Sequence, residues 1–139
     1  MTLQKFQDKW NGKFCDFDKN YGFQCVDIMR QYLVDVLGVS GWALPPVVYA
    51  KDLYKKFKPL NGFQRFPNIW NDLNSYPKPG DIVVWDWSWG VTGIAGHVGI
   101  CTWADGKSLI VFNQNYPTGS ASILRKFSFK GVLGWIRPV

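Results

Sequence analysis

The sequence predicts an α+β domain in which N-terminal helices pack on a twisted antiparallel sheet of about five to six strands. Apolar residues recur at three- and four-residue intervals in the first part of the chain, and strand-like segments separated by turn residues follow Pro79. The 139 residues, 47% of them hydrophobic, suffice for one packed core. We therefore expect a single domain over residues 1–139.

Three helices are predicted in the first part of the chain. The first runs from Thr2 to Trp10, with Thr2 as a cap. The second begins at Cys25 and continues to Leu37, where Gly38 is a natural stop. Pro45-Pro46 opens a third helix, from about Val47 to Phe57.

The later part of the chain predicts strands. Residues 61–79 are rich in Asn and Pro and are expected to be irregular, with one short helical turn around Ile69 to Leu73. Five strands follow: Asp81 to Trp87, His97 to Trp103, Ser108 to Asn113, Ile123 to Phe129 and Val132 to Ile136. Asp105-Gly106 predicts a hairpin between the second and third of these strands.

The composition limits the classes of partner. A net charge of +6 favours an anionic partner, but the sixteen basic residues are scattered, so a cell wall or a membrane surface is as acceptable as nucleic acid. No apolar stretch has the length of a membrane span, and the first residues lack the apolar core of a signal peptide. We expect neither membrane insertion nor a signal of the chain's own.

The segment from Asp16 to Asp27 has the spacing of a calcium loop. Side chains that carry oxygen stand at its first, third, fifth and twelfth positions, and a glycine at the seventh could offer its carbonyl. These residues are Asp16, Asp18, Asn20, Asp27 and Gly22. Tyr21 departs from the pattern, because a glycine normally makes the sharp turn there. The alternative is a solvated acidic turn.

Cys25 lies in the same segment, at the predicted start of a helix. The three cysteines form no CxxC pair, which argues against a disulfide framework and a structural zinc site. A thiolate is favoured by the amide dipoles at a helix N-terminus. Cys25 is therefore a candidate nucleophile, and the alternative is a small buried hydrophobic residue.

One histidine accompanies this cysteine. His97 is the only His of the chain and begins a predicted strand, and Asn113 and Asn115 end the strand that the hairpin pairs with it. A thiol, an imidazole and an orienting amide together fit the plan of a thiol protease. The amides could also merely terminate the strand.

Four motifs, in order, carry a family resemblance: Gln24-Cys25, Pro79 to Trp85, Gly96 to Ile100 and Asn113 to Tyr116. They resemble the CHAP domain, the cysteine, histidine-dependent amidohydrolase/peptidase of bacteriophage and bacterial peptidoglycan hydrolases. The resemblance covers nearly the whole chain. It implies a papain-like fold and cleavage of an amide bond in peptidoglycan, either between muramic acid and L-alanine or within the stem peptide and cross-bridge.

The resemblance also implies catalytic roles. Cys25 would be the nucleophile and His97 the general base, while the Cys25 amide and the Gln24 side chain would form the oxyanion hole. Many members carry a glutamate where this chain has Asn113. An amide can still orient the imidazole but supplies no charge, so Asn113 is expected to orient it and Asn115 to support it.

In some staphylococcal phage members the acidic segment binds calcium. The resemblance therefore implies structural Ca²⁺ held by Asp16, Asp18 and Asp27 and by the carbonyls of Asn20 and Gly22.

Trp85 and Trp87 alternate along a strand and could fill the core. Trp89, in the loop before His97, is expected to line a substrate groove.

The expected partner is bacterial peptidoglycan, bound by a monomer that acts alone or within a larger lysin or virion assembly. A phage-encoded enzyme without a signal would reach the host wall after holin release or from the virion. Two alternatives remain open. The amide at Asn113 is compatible with a wall-binding module that has lost catalysis, and the fold class with a papain-like cysteine hydrolase or acyltransferase acting on a non-wall substrate.

Overall fold

Three helices precede six strands in the computed structural model, which describes residues 1–20, 22, 24–59, 62–86 and 95–139. The helices are α1 (Leu3–Trp10), α2 (Cys25–Asp35) and α3 (Asp52–Lys55). The strands are β1 (Phe63–Pro67), β2 (Ile82–Trp85), β3 (His97–Ala104), β4 (Ser108–Asn113), β5 (Ile123–Ser128) and β6 (Val132–Pro138). Among the described residues, no helix is long and apolar enough to span a bilayer.

All six strands form one antiparallel sheet in the order β1-β6-β2-β3-β4-β5. Trp85 of β2 lies opposite His97 of β3, and Ile100 of β3 lies opposite Phe112 of β4. The start of β3 and the end of β4 therefore meet at the same end of the sheet. This register brings His97 close to Asn113.

The helices cover one face of the sheet. α2 packs against β3 and β4, and Ile28, Met29 and Leu33 contribute fully buried side chains to the core that it shares with the strands. Full burial of an aliphatic side chain of this size contributes about 1.5–3 kcal/mol. A second cluster, which includes Trp85 and Phe127, forms on other strand residues. α2 is thus fixed rigidly across the strand that begins with His97.

The start of α2 is set by a side chain of its own first turn. The backbone amide of Gln24 donates to Asp27 Oδ2 at 2.8 Å, which is one half of a capping box. At the other end Gly38 has a φ of +68°, and the Val39 amide donates to the Leu33 carbonyl at 3.0 Å. The predicted start of the second helix is therefore confirmed, with Cys25 as its first residue.

The segment around Pro79 joins α2 to the sheet. The Tyr32 hydroxyl donates to the Gly80 carbonyl at 2.8 Å. Asp81, only 2% exposed, accepts three charge-assisted hydrogen bonds from Arg137, the shortest from Nη2 to Oδ2 at 2.8 Å and from Nε to Oδ1 at 3.0 Å. The second motif of the resemblance therefore has a structural role in this chain.

Two predictions about the middle of the chain are wrong. The third helix is limited to Asp52–Lys55, because the segment after Pro45-Pro46 runs along a cleft and leaves Val48 88% exposed. Part of the segment expected to be irregular is the strand Phe63–Pro67, which pairs with β6 at the edge of the sheet. An edge strand tolerates proline, and for this reason its sequence carries a weak strand signal.

The other predicted elements agree with the structure, except for the short helical turn expected around Ile69 to Leu73. α1 begins after Thr2, whose hydroxyl accepts the Lys5 amide hydrogen at 3.1 Å. The five predicted strands are present, with described ends within two residues of the expected ones. Asp105 closes the β3–β4 hairpin by accepting the amides of Lys107 and Ser108, each at 2.8 Å. Ile69 and Asp72 form a hydrogen-bonded turn and no helix.

Candidate active site

A cleft of about 710 Å³ runs between the start of α2, the loop of residues 41–50 and the first residue of β3. Four of the predicted catalytic residues line it, namely Gln24, Cys25, His97 and Asn115. Asn113 lies behind His97 and is fully buried. The structure thus brings the predicted thiol, imidazole and amides to one place.

Cys25 is half-buried at the floor of the cleft. Burial raises the pKa of its thiol to about 11, whereas the backbone amides of Val98 and Val26 act in the opposite direction. The helix N-terminus predicted a lowered pKa, but desolvation outweighs it. The resting thiol is therefore protonated at neutral pH and needs a base when it attacks.

His97 is held by Asn113. His97 Nε2 and Asn113 Oδ1 lie 3.0 Å apart, and the Asn113 amide nitrogen donates to the Ile123 carbonyl at 3.1 Å. Because that second bond turns the amide oxygen towards the ring, Nε2 carries the hydrogen. His97 Nδ1 is consequently the nitrogen that can accept a proton.

The surroundings of His97 are aromatic. Its ring centroid lies 5.5 Å from that of Trp85 and 5.9 Å from that of Tyr116. Burial lowers the pKa of His97 to about 4, although the hydrogen bond with Asn113 acts to raise it. The imidazole is therefore neutral at neutral pH, which is the state a general base requires.

Gly99 makes room for this pair. A Cβ at Gly99 would lie 2.3 Å from Val111 Cγ1 and 3.1 Å from Asn113 Cβ. A side chain at this position would overlap Val111 and crowd Asn113, which holds His97. The glycine next but one after His97 is thus required by the close approach of β4.

Asn115 has a different role from Asn113. Its side-chain Oδ1 accepts the Gly119 amide hydrogen at 2.7 Å, and its backbone amide donates to the Ser120 carbonyl at 2.9 Å. Its φ of +66° places it at the start of a tight loop beside the cleft. Of the two predicted amides, only Asn113 is hydrogen-bonded to His97 among the described contacts.

Three acidic side chains converge beside α2. Ligand atoms of Asp16, Asp18 and Asp27 all lie within 4.8 Å of one another. Asp27 is 1% exposed, and burial, with the nearby Asp18 and Asp16 carboxylates, raises its pKa to about 6. Clustered carboxylates that repel one another are a donor set suited to a hard cation such as Ca²⁺. These residues therefore fit the expected metal.

The two predicted carbonyl ligands lie in the same loop. The Asn20 amide donates to Asp18 Oδ1 at 3.0 Å, and Gly22 has a φ of +70°. The role of their carbonyls stays a prediction.

Trp89, expected to bind substrate, and Trp87 lie outside the described residues. Trp85 is fully buried, as its core reading predicted.

Sequence reasoning missed one aromatic wall of the cleft. Trp42 is 47% exposed and lines the cleft together with His97 and Ala95. The Arg30 guanidinium stacks on its indole ring at 4.3 Å. A lone Arg in the apolar pattern of α2, with a Gly-Trp pair shortly after that helix, was the available signal.

Trp42, which forms this wall of the cleft, is held in place by contacts with Arg30 and with Phe17. Buried Arg30 donates to the carbonyls of Gly41 at 2.9 Å and Leu44 at 2.8 Å. Phe17, from the acidic segment, lies with its ring 6.1 Å from that of Trp42. A Cβ at Gly41 would lie 2.3 Å from the Phe17 ring, so only glycine permits this contact. The acidic segment and the cleft wall therefore pack directly on each other.

Comparisons with known proteins agree with this geometry. The family model of the CHAP domain matches residues 15–115. The endolysin PlyTW of Staphylococcus phage Twort is 30% identical over an alignment of 136 positions, which covers 88% of this chain and 26% of that protein.

Solved structures show the same fold. The wild-type endolysin LysIME-EF1 superposes with a TM-score of 0.73 at 27% identity, over 99% of this chain and 64% of that one. Ly7917, with 17% identity, gives a TM-score of 0.65 over 99% of this chain and 62% of its own. The α+β fold class is thereby confirmed. The chain spans about a quarter of the curated relative and less than two thirds of these structures.

Proposed function

Because the chain belongs to the CHAP domain family, we propose that it is a peptidoglycan hydrolase domain that cleaves an amide bond of the bacterial cell wall through a Cys-His mechanism. The observation that carries this proposal is the buried His97–Asn113 pair beside the cleft that Cys25 lines. A neutral imidazole, a neutral thiol and an orienting amide are the parts that nucleophilic cleavage of an amide needs.

The chemistry follows from the positions of the two groups. As Cys25 Sγ attacks the carbonyl carbon, His97 Nδ1 takes the thiol proton. The developing oxyanion is stabilised by the Cys25 backbone amide, which lies in the first turn of α2, and by the Gln24 side chain. The imidazolium then protonates the leaving amine, and the thioester is hydrolysed by water that returns its proton through His97.

Asn113 shapes this mechanism by what it lacks. It keeps the hydrogen on Nε2 and so leaves Nδ1 free to take the thiol proton, but it adds no negative charge to stabilise the imidazolium. We expect the ion pair of thiolate and imidazolium to be disfavoured in the free enzyme. Proton transfer then accompanies the attack on the substrate.

Calcium is proposed as a structural ion. Asp16, Asp18 and Asp27 would hold it, with the carbonyls of Asn20 and Gly22. When bound, the ion neutralises the repulsion between the three carboxylates. Asp27 also accepts the Gln24 amide hydrogen, so this chain uses one side chain to join the metal loop to the residue before the nucleophile.

The proposed partner is the peptidoglycan of the host wall, and a monomer released through holin pores or carried in the virion would act on it. A structure of Ly7917, with 18% identity and a TM-score of 0.60, was solved with the hydrolyzing product of MDP. The net charge of +6 suits the anionic polymers of such a wall. Trp42 offers an exposed ring at the cleft for contact with substrate.

The test uses purified cell walls and the Cys25→Ala variant. We expect the wild type to release new amine termini and muropeptide fragments, which mass spectrometry assigns to one bond. Cys25→Ala should release none while keeping the wild-type melting temperature. Hydrolysis by Cys25→Ala would contradict the mechanism, and wall binding without new amines in the wild type would favour a binding module.

A further inference from the structure

Gln114 is a buried side chain that the mechanism above does not use. It follows Asn113 at the end of β4 and is 0% exposed. Successive residues of an extended chain point in opposite directions. Asn113 therefore reaches His97, while Gln114 reaches the start of α2 on the other side.

Four hydrogen bonds saturate the Gln114 carboxamide. Its Oε1 accepts from the Cys15 amide at 2.7 Å and from the Ser122 hydroxyl at 3.1 Å. Its Nε2 donates to the carbonyls of Cys15 at 2.8 Å and Gln24 at 2.8 Å. A carboxamide has two donor hydrogens and two acceptor lone pairs, so every polar position of this side chain is used.

Two of the three partner residues, Cys15 and Gln24, lie at the two ends of the acidic segment. Cys15 directly precedes Asp16, and Gln24 directly precedes Cys25. The side chain directly after β4 therefore binds residues 15 and 24, while its neighbour Asn113, the last residue of β4, holds His97. The residue before the nucleophile and the base are thus held by two adjacent residues, Gln114 and Asn113.

We propose that Gln114 is a positioning residue, which fixes the start of α2 to β4 and thereby sets the placement of the Cys25 thiol relative to His97. The inference rests on the proposed function for its catalytic consequence. Only a carboxamide suits the position. Glutamate would direct an oxygen at two carbonyls, and methionine would leave the partners of four hydrogen bonds unpaired.

The principal test compares Gln114→Met with Thr102→Val. Thr102 lies on β3, and its hydroxyl donates to the Ile110 carbonyl of β4 at 3.1 Å. Gln114→Met removes the hydrogen bonds to Cys15, Gln24 and Ser122, and Thr102→Val removes one hydrogen bond within the sheet. We expect Gln114→Met to lower kcat for wall hydrolysis about 10²-fold at unchanged KM, because displacements near 1 Å at a reacting group have effects of this size. Thr102→Val should keep both constants.

A second readout does not need a wall substrate. The alkylation rate of Cys25 by iodoacetamide, followed by mass spectrometry of its peptide, should fall at least ~10-fold in Gln114→Met and stay unchanged in Thr102→Val. Slowed alkylation with a wild type that is inactive on walls would overturn the proposed function and support the positioning role. Wild-type alkylation and kcat in a folded Gln114→Met protein would overturn the positioning role.

Hydrogen exchange of the wild type covers the case in which Gln114→Met does not fold. The acceptor of the Cys15 amide is a fully buried oxygen. This amide should exchange as slowly as those of β3 and β4. Exchange at the rate of an exposed loop would show that the bond to Gln114 is not formed and would overturn the inference.

Discussion

His97 Nε2 and Asn113 Oδ1 lie 3.0 Å apart on neighbouring strands, and both side chains are almost completely withdrawn from water. The pair is an imidazole held by a neutral amide. It keeps the ring in one tautomer but does not favour its charged form. Several consequences of this arrangement can be measured.

Replacing Asn113 by Asp should move the pH dependence of activity. A carboxylate beside Nε2 favours the imidazolium, so the pKa of His97 rises from the low value that burial produces, about 4. The acid limb of the kcat/KM profile should therefore shift to higher pH. Asn113→Ala, which loses orientation without adding charge, should lower kcat about 10²-fold. An acid limb that does not move in Asn113→Asp would contradict the assignment of His97 as the base.

His97 should also make the fold sensitive to acid. Its pKa is about 4 when folded and 6.5 at its ordinary value, so the unfolded chain takes up a proton first as the pH falls. This contribution is complete above pH 6.5 and is lost as the pH falls through about 4, with a total of about 3 kcal/mol.

The check is denaturant unfolding of the wild type and His97→Gln at pH 7 and near pH 4. Glutamine can still donate to Asn113 Oδ1 but does not titrate. The free energy of unfolding should fall more on acidification in the wild type than in His97→Gln. Equal losses would show that His97 is not desolvated as its burial indicates.

Removal of calcium should lower the stability of the folded protein. It should also lower hydrolytic activity by a larger factor than it lowers the affinity for cell walls. An ion present at one hundred times its Kd contributes about 2.7 kcal/mol to the folded state. A chelator should lower the melting temperature, and added Ca²⁺ should restore it. Asp18→Asn should abolish this response. Asp8→Asn is the matched control, since Asp8 lies on α1, accepts a hydrogen bond from Gln4 and is not part of the acidic cluster among the described residues. The same calcium response in Asp18→Asn would exclude this loop as the site.

Trp42→Ala should weaken substrate binding. The indole ring is 47% exposed at the cleft and is fixed by Arg30, so it offers a rigid surface to the substrate. We expect KM to rise about 10-fold at nearly unchanged kcat, because the ring contacts substrate equally before and during the reaction. Trp70→Ala is the control, because Trp70 is 88% exposed and is absent from the lining of the cleft. Equal effects of the two substitutions would contradict this role.

Local patterns in the sequence predicted most of the fold. The regular apolar repeat from Cys25 placed α2 correctly, and the Asp105-Gly106 turn fixed the register that brings Asn113 to His97. The edge strand β1 and the short α3 were not predicted, because their conformations depend on pairing with β6 and on the cleft. Local propensity is a weak guide for such segments.

Some residues of the candidate site could be predicted from the sequence and others could not, because only some of them are recognisable by residue type alone. Residue types with intrinsic reactivity, such as Cys25 and His97, are visible in a sequence. Gln114 and Trp42 owe their roles to partners that are distant along the chain or held by packing. The choice between Asn113 and Asn115 also required the structure, because both were expected at the end of the same strand and, among the described contacts, only Asn113 is bonded to the ring.

The bonds between Gln114 and Cys15 join residues 99 positions apart. Such a contact can form only after a large loop has closed, and loop closure is a slow, entropically costly event in folding. During refolding, the helices can therefore form well before the nucleophile is in register with its base. Recovery of hydrolytic activity should lag behind recovery of the helical circular dichroism signal. The return of catalytic activity would then mark the point at which the sheet is complete.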